Sequence, residues 1–273
     1  GNPILSIKRI NKKTIFVVEA SSYQLEYSKI FKSKYAAILN ISPDHIERHK
    51  TLKRYIKAKF KLLKNQSKKN FAFVKKDDFL INKELKANRL NCKIIKVNTK
   101  KNNRLIENTK NKYFQTDTNK ENFLFAFEIS KILKLKQRLI EETIHRFNGL
   151  EFRQQIIFKR KFLTIINDSK STSFSSSIGV LKSNQNIYWL LGGIPKKGDK
   201  FKLSKKKCKN IKAYIFGSHY REFIKILKNR LKIKNFENLK ETLKVIFSEI
   251  NIQQSKKNII FFSPAGASFD SFK

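Results

Sequence analysis

A carboxylate, an imidazole and a lysine stand at related places near the start of this chain. Glu19 follows the β-branched run Ile15-Phe16-Val17-Val18. His45 closes Ser42-Pro43-Asp44-His45, after the apolar run Tyr35-Ala36-Ala37-Ile38-Leu39-Asn40-Ile41. Short apolar runs bounded by turn residues read as buried parallel strands, and ligands bind beyond the carboxyl ends of such strands. Both side chains are therefore predicted to face one cleft, where a carboxylate and an imidazole suit a divalent cation. Lys59 falls on the apolar stripe Leu52, Tyr55, Ile56, Phe60 and Leu63 of a predicted helix. An ammonium there snorkels to the rim, or is paired or chemically changed, because an unpaired buried cation is costly.

Polar clusters recur after later apolar runs. Asn167-Asp168-Ser169-Lys170-Ser171-Thr172 follows Phe162–Ile166, and Gly192-Gly193-Ile194-Pro195-Lys196 follows Ile187–Leu191. Ser263-Pro264-Ala265-Gly266-Ala267-Ser268 follows the run that begins at Ile259. Taken alone, Asp-Ser ahead of a helix is a cap, Gly-Pro is a turn, Asn122 belongs to a helix start, and Arg153 after a turn is a surface residue. His45 and His49 have the i, i+4 spacing of a zinc pair but lack the H-E-x-x-H glutamate. Neither a Gly-x-Ser-x-Gly elbow nor a G-x-x-x-x-G-K-[ST] phosphate loop occurs in the chain.

The elements that must position these residues alternate. Strands are predicted at Phe71–Val74 and Ile94–Val97, and helices at 119–133 and 139–147, the last stopped by Asn148-Gly149. From residue 150 onward, strands near 162–166, 187–191, 213–216 and 259–263 alternate with helices near 175–181, 221–227 and 239–250. That is the pattern of βαβ units and a doubly wound sheet. The prediction is an α/β chain of two domains, 1–149 and 150–273.

The chain has 273 residues, 40% of them hydrophobic, enough for real cores. Lys and Arg number 61 against 21 Asp and Glu, a formal charge of +40. Lysine is spread along the whole chain and arginine is scarce, which argues against a nucleic-acid-binding protein. The basic field would still draw anionic substrates. Two distant cysteines, no bilayer-length apolar run and no signal peptide fit a soluble, cytoplasmic, monomeric protein without membrane contact. With no methionine and an opening at Gly1-Asn2-Pro3, the chain is expected to be part of a longer protein.

Five stretches, in order, resemble the Mur ligases. They are Val17-Val18-Glu19-Ala20-Ser21-Ser22-Tyr23-Gln24-Leu25-Glu26 with Ile38–His45 and Tyr55–Lys59; Asn119-Lys120-Glu121-Asn122; Gly149-Leu150-Glu151-Phe152-Arg153; Asn167–Thr172 with Leu191–Lys196; and Ser263–Asp270. The Asp168-Ser169-Lys170 run resembles the D-glutamate-adding branch and speaks against a folylpolyglutamate synthase-like ligase. The resemblance implies a P-loop-NTPase-like central domain, truncated here, and a Rossmann-like C-terminal domain. It implies ATP-dependent amide formation between UDP-N-acetylmuramoyl-L-alanine and D-glutamate in peptidoglycan precursor synthesis. Glu19, His45 and a carbamylated Lys59 would hold Mg2+. Asn122, Arg153, Asp168 and Lys170 would bind ATP. Asn2 and Ser21 would lie by the acyl substrate, and Thr172, Lys196 and Ser268 would hold D-glutamate. Phe152 stands where the family has histidine. Without its own phosphate loop, this chain alone is expected to bind ATP weakly and to be inactive, and a non-catalytic remnant is the third alternative.

Overall fold

The apolar runs assemble into two separate, mainly parallel sheets in the computed structural model, which describes residues 6–42, 46–101, 103–183, 185–196, 198–251 and 257–267. The chain divides into two units, one of residues 1–103 and 121–136, the other of 104–120 and 137–273.

The first unit contains α1 (Ser22–Tyr27), β1 (Tyr35–Ile38), α2 (Ile46–His49), α3 (Leu52–Lys64), β2 (Phe71–Lys75), α4 (Phe79–Ala87) and β3 (Lys93–Val97). The strands pair in parallel, in the order β1-β2-β3. Strand alternation sends Ala36, Ile38, Ala72 and Val74 to one face, where they pack with Tyr55, Ile56, Phe60 and Leu63 of α3. Thr51 caps α3 by accepting the Arg54 amide at 3.2 Å. The opposite face carries Phe73 and Val97. After α5 (Arg104–Glu107), helix α6 (Asp117–Ile132) covers that face with Leu124 and Phe125. The predicted strand at Ile15–Val18 does not form. Those residues are exposed, Val17 to 97%, and no ladder partner is present among the described residues. β-Branched residues favour an extended backbone, but a strand is stabilised only by a neighbour.

The second unit contains α7 (Gln137–Arg146), β4 (Gln155–Lys159), β5 (Leu163–Asn167), α8 (Phe174–Leu181), β6 (Asn186–Gly192), β7 (Ile194–Pro195), β8 (Ile211–Phe216) and α9 (Tyr220–Leu227). It continues with β9 (Lys232–Phe236), α10 (Leu239–Asn251), β10 (Asn258–Phe262) and β11 (Gly266–Ala267). Six strands run in the order β4-β5-β10-β6-β8-β9, and all pairs are parallel except β4 with β5. One face buries Trp189, Leu191, Ala213 and Ile215 against Phe174 of α8 and Phe223 of α9. The other buries Tyr188, Leu190, Tyr214 and Ile260 against Ile246 and Ile250 of α10. Helices on both faces make the doubly wound arrangement expected from the alternation. On the α10 side, Glu249 accepts from Lys212 at 2.6 Å, Lys234 at 2.9 Å and the Tyr214 hydroxyl at 2.7 Å. Burial alone would push its carboxyl up, but these donors prevail and hold it down at about 2. No described helix is long and apolar enough to cross a membrane.

Candidate functional site

The carboxyl ends of β5, β10 and β6 lie side by side, and the three loops that leave them are tied together. The Ala265 amide donates to Ser171 O at 3.1 Å, and the Gly192 amide to Pro264 O at 3.1 Å. The Trp189 indole donates to Ser263 O at 2.9 Å. Beyond these bonds, β7 pairs antiparallel with β11, Ala267 opposite Ile194 and Gly266 opposite Pro195. This places the Lys196 loop beside the segment that leads to residue 268. Gly193 makes the approach possible. Its φ is +84°, and a Cβ there would stand 2.5 Å from the Ala267 carbonyl oxygen. Asp199 closes the loop from the other side, its Oδ2 accepting the Phe174 amide of α8 at 2.7 Å. The loop that carries Lys170 and Thr172 and the loop that carries Lys196 thus share the start of α8.

A second feature meets this cluster at Asp168. The turn from Gly149 to Gln154 has positive φ at Gly149 (86°), Phe152 (62°) and Gln154 (48°). Two non-glycine residues in the left-handed region within three positions are strained, and such strain concentrates at functional sites. The turn is held against the Asp168 loop. The Gln154 amide donates to Asp168 Oδ1 at 3.1 Å, and the Lys170 amide donates to Phe152 O at 3.1 Å. Lys170 Nζ lies 5.8 Å from the Phe152 ring centre, a cation–π contact at the position where histidine was expected. Asp168 is 5% exposed. Burial raises its carboxyl to about 6, against the pull of the Gln154 amide, the Ser263 hydroxyl and the Arg153 guanidinium. A buried acid so displaced, beside a strained turn, marks a candidate ligand site.

The second unit therefore gathers Arg153, Asp168, Lys170, Thr172 and Lys196 onto loops that are bonded to one another. Arg153 and Lys170 are exposed, and Thr172 and Lys196 are half-buried. The first unit carries Glu19, Ser21, Lys59 and Asn122. Glu19 is exposed just ahead of α1. Ser21 caps α1 in a capping box with Gln24, at 3.2 Å and 2.9 Å. Lys59 is half-buried on α3, its Nζ 5.3 Å from the Tyr55 ring centre. Asn122 is exposed on α6, while Asn119 is buried and donates to Tyr113 O at 2.7 Å. Asn2, His45 and Ser268 lie outside the described residues. No group of three His, Cys, Asp or Glu side chains able to hold a metal occurs among the described residues. The exposed Glu19 carboxylate is an oxygen donor of the kind that suits a hard cation. The tie from Asp199 and the strained turn carried no signal in the residue types.

Loops bonded together at the carboxyl ends of adjacent parallel strands, in a chain with a second α/β unit earlier in its sequence, define a two-unit α/β protein with a candidate ligand site. A Mur ligase middle domain model matches residues 4–142, and the chain belongs to the Mur ligase family. It is 30% identical to the UDP-N-acetylmuramoylalanine–D-glutamate ligase of Rickettsia felis, over 100% of this chain and 64% of that protein. It is also 30% identical to the enzyme of the same name from Clostridioides difficile, again over 100% of this chain and 64% of that protein. The chain thus spans about two-thirds of the length of these curated relatives, 64% in each case. The MurF ligase of Thermotoga maritima, solved in complex with ADP, matches with a TM-score of 0.66 and 13% identity, over 90% of this chain and 61% of that one. The UDP-N-acetylmuramate-alanine ligase of the same organism gives 0.60 and 19%, over 90% and 59%. These structural likenesses establish the fold.

Proposed function

We propose that this chain carries the metal side and the amino-acid side of an ATP-dependent ligase that joins D-glutamate to UDP-N-acetylmuramoyl-L-alanine. The observation that carries the reading is the bonding of the Asp168–Thr172, Gly192–Lys196 and Ser263–Ala267 loops at one end of the sheet. The names of the relatives that match over 100% of this chain support the choice of substrates.

In this reading the substrate carboxylate attacks the terminal phosphorus of ATP, ADP leaves, and an acyl phosphate forms. The amine of D-glutamate then attacks the acyl carbon, phosphate leaves, and the amine loses a proton. Such chemistry depends on positioning and charge neutralisation. Mg2+, held by Glu19, His45 and carbamylated Lys59, would supply neutralisation of the phosphoryl oxygens. Asp168 accepts from sugar hydroxyls, Arg153 and Lys170 face the phosphates, and Asn122 meets the adenine. Asn2 and Ser21 sit by the acyl substrate. Lys196 pairs with a carboxylate of D-glutamate, and Thr172 and Ser268 hydrogen-bond to it. We assign residues 1–149 to an incomplete ATP- and metal-binding domain and 150–273 to the amino-acid-binding domain, which also supplies Arg153, Asp168 and Lys170 to the nucleotide.

Titration of the chain with D-glutamate by calorimetry tests this directly. A charge-assisted hydrogen bond is worth about 1.5–3 kcal/mol, so Lys196→Ala is expected to weaken D-glutamate binding by roughly ten- to a hundredfold. ADP binding should stay unchanged. A larger loss for ADP would move Lys196 to the nucleotide side, and equal binding of D-glutamate by the variant would end the assignment.

Lys59 has its own test in the same chain. With 13C-labelled bicarbonate, the wild type is expected to give one carbamate carbon resonance that is missing from Lys59→Ala. A spectrum identical in the two proteins would leave Lys59 as a lysine packed on the Tyr55 ring.

A further inference from the structure

A line of serine hydroxyls leads from Asp168 to the start of α8. Ser263 Oγ donates to Asp168 Oδ2 at 3.1 Å and lies 2.6 Å from Ser177 Oγ. Ser171 Oγ is 3.3 Å from Ser177 Oγ and 2.7 Å from Ser176 Oγ. Ser176 in turn donates to Ser173 O at 2.7 Å. Ser263 and Ser177 are fully buried and Ser171 is 2% exposed.

Each hydroxyl owns a single proton, and that fixes the direction of every bond in the line. An ionised Asp168 only accepts, so Ser263 must donate to it and Ser177 must donate to Ser263. Ser171 is then the one possible donor to both Ser177 and Ser176, because Ser176 has committed its proton to Ser173 O. If the one Ser171 proton goes to Ser177, it is withheld from Ser176 Oγ and from Ser173 O, 3.4 Å away. A protonated Asp168 reverses this. It donates to Ser263, Ser263 to Ser177 and Ser177 to Ser171, which frees the Ser171 proton for Ser176 Oγ at 2.7 Å or Ser173 O at 3.4 Å. Ser263, Ser177 and Ser171 are buried, so water does not reset the bond directions along them, whereas the exposed Ser176 can take a proton from the Ser173 hydroxyl at 3.1 Å.

We infer that Ser263 and Ser177 form a hydroxyl relay through which the protonation of Asp168 sets the hydrogen bonding of Ser171, and with it the loop that carries Lys170 and Thr172. Its functional meaning rests on the reading above, in which Asp168 and Thr172 contact different substrates: the relay would let nucleotide contacts at Asp168 adjust the amino-acid side. Ser263 and Ser177 are positioning residues in this scheme. The charged group acting on Asp168 from the packed turn is Arg153, with Glu151 on the same turn. Lys170 lies in the loop of Asp168 itself, over Phe152. α8 and residues 263–267 contribute no charged side chain.

The test is an NMR pH titration of the intact chain, following the Asp168 carboxyl carbon and the amides of Ser171, Ser176 and Ser263. In the wild type all four should share one midpoint. In Ser177→Ala, Asp168 and Ser263 should still titrate together, while the response of Ser171 and Ser176 falls at least threefold. Ser263→Ala, which cuts the line one step earlier and serves if the first variant folds poorly, should silence Ser171 and Ser176 in the same way. Undiminished responses in a folded variant would route the coupling through the direct backbone bond from the Ser171 amide to Asp168 O, 2.8 Å long, and overturn the relay. D-Glutamate titration of the same samples judges the functional reading separately, since its failure would leave the relay's signature intact.

Discussion

Gly193→Ala is expected to destabilise the second unit by about 3 kcal/mol, combining a left-handed backbone with a backbone clash. The added methyl would stand 2.5 Å from the Ala267 oxygen and 3.1 Å from its carbonyl carbon, so no side chain can swing aside to admit it. The β7–β11 pair would have to part, taking the Lys196 loop with it. Gly198→Ala is the control, because Gly198 has a similar φ of +81° and nothing within 4 Å of the built Cβ. That variant should cost only the conformational part, about 1 kcal/mol. The chain's one tryptophan, Trp189, is buried in β6 and reports on this unit by fluorescence during urea unfolding. Equal midpoints for the two variants would mean that the close approach of Gly193 to Ala267 carries no weight.

Asp168→Asn is expected to stabilise the chain at pH 7.5, by up to about 3 kcal/mol. The sign follows from the direction of the shift. Burial lifts the folded-state carboxyl from 3.8 to about 6, so above pH 4 the unfolded chain gives up this proton before the folded chain does. Stability is therefore lost as pH rises from about 4 to about 6, and the loss is constant above that. Asparagine can still accept the Gln154 amide, yet has no charge to bury. The gain should shrink towards zero near pH 4, where both proteins are neutral at this position. Urea midpoints of the two proteins at pH 4.5 and 7.5 decide it, and a difference that does not grow with pH would contradict the buried-charge account. A residue kept at such a cost to stability is characteristic of a binding site.

The sequence was most legible where burial decides the structure. Tyr35–Ile38, Phe71–Lys75, Asn186–Gly192, Ile211–Phe216 and Asn258–Phe262 are apolar runs, and each became a strand with two helix-covered faces. Within the larger sheet, the strands that escaped the reading, β4 and β9, are its two edges. Their exposed residues, among them Lys232 and Lys234, blur the period-2 pattern. Ile15–Val18 failed in the opposite sense, since its composition is that of a strand and the partner is what it lacks. At the site, Asp168, Lys170, Thr172 and Lys196 were legible as polar clusters after strands. The turn that buries Asp168 was not, because Phe152 and Gln154 carry none of the residue types that announce a left-handed backbone. Nor was the serine line, which joins residues 171–177 to residue 263 through folding alone.

The edges of the two sheets differ in a way that bears on how the protein behaves in a tube. β9 presents lysines along its margin, a charged fringe that repels a second sheet approaching edge-on. β1, Tyr35-Ala36-Ala37-Ile38, is an edge without charge, and the exposed Ile15–Val18 belongs to the same unit. What keeps such an edge apart from its copies is the overall charge of +40, and that protection has a short range. The screening length falls from about 10 Å at 0.1 M salt to about 3 Å at 1 M. Repulsion of this size is expected to keep the protein dispersed in dilute buffer, which light scattering at low salt would read as a monomer mass. As salt rises, self-association will begin at the uncharged margin of the smaller sheet, while the lysine-fringed margin of the larger one resists it longest.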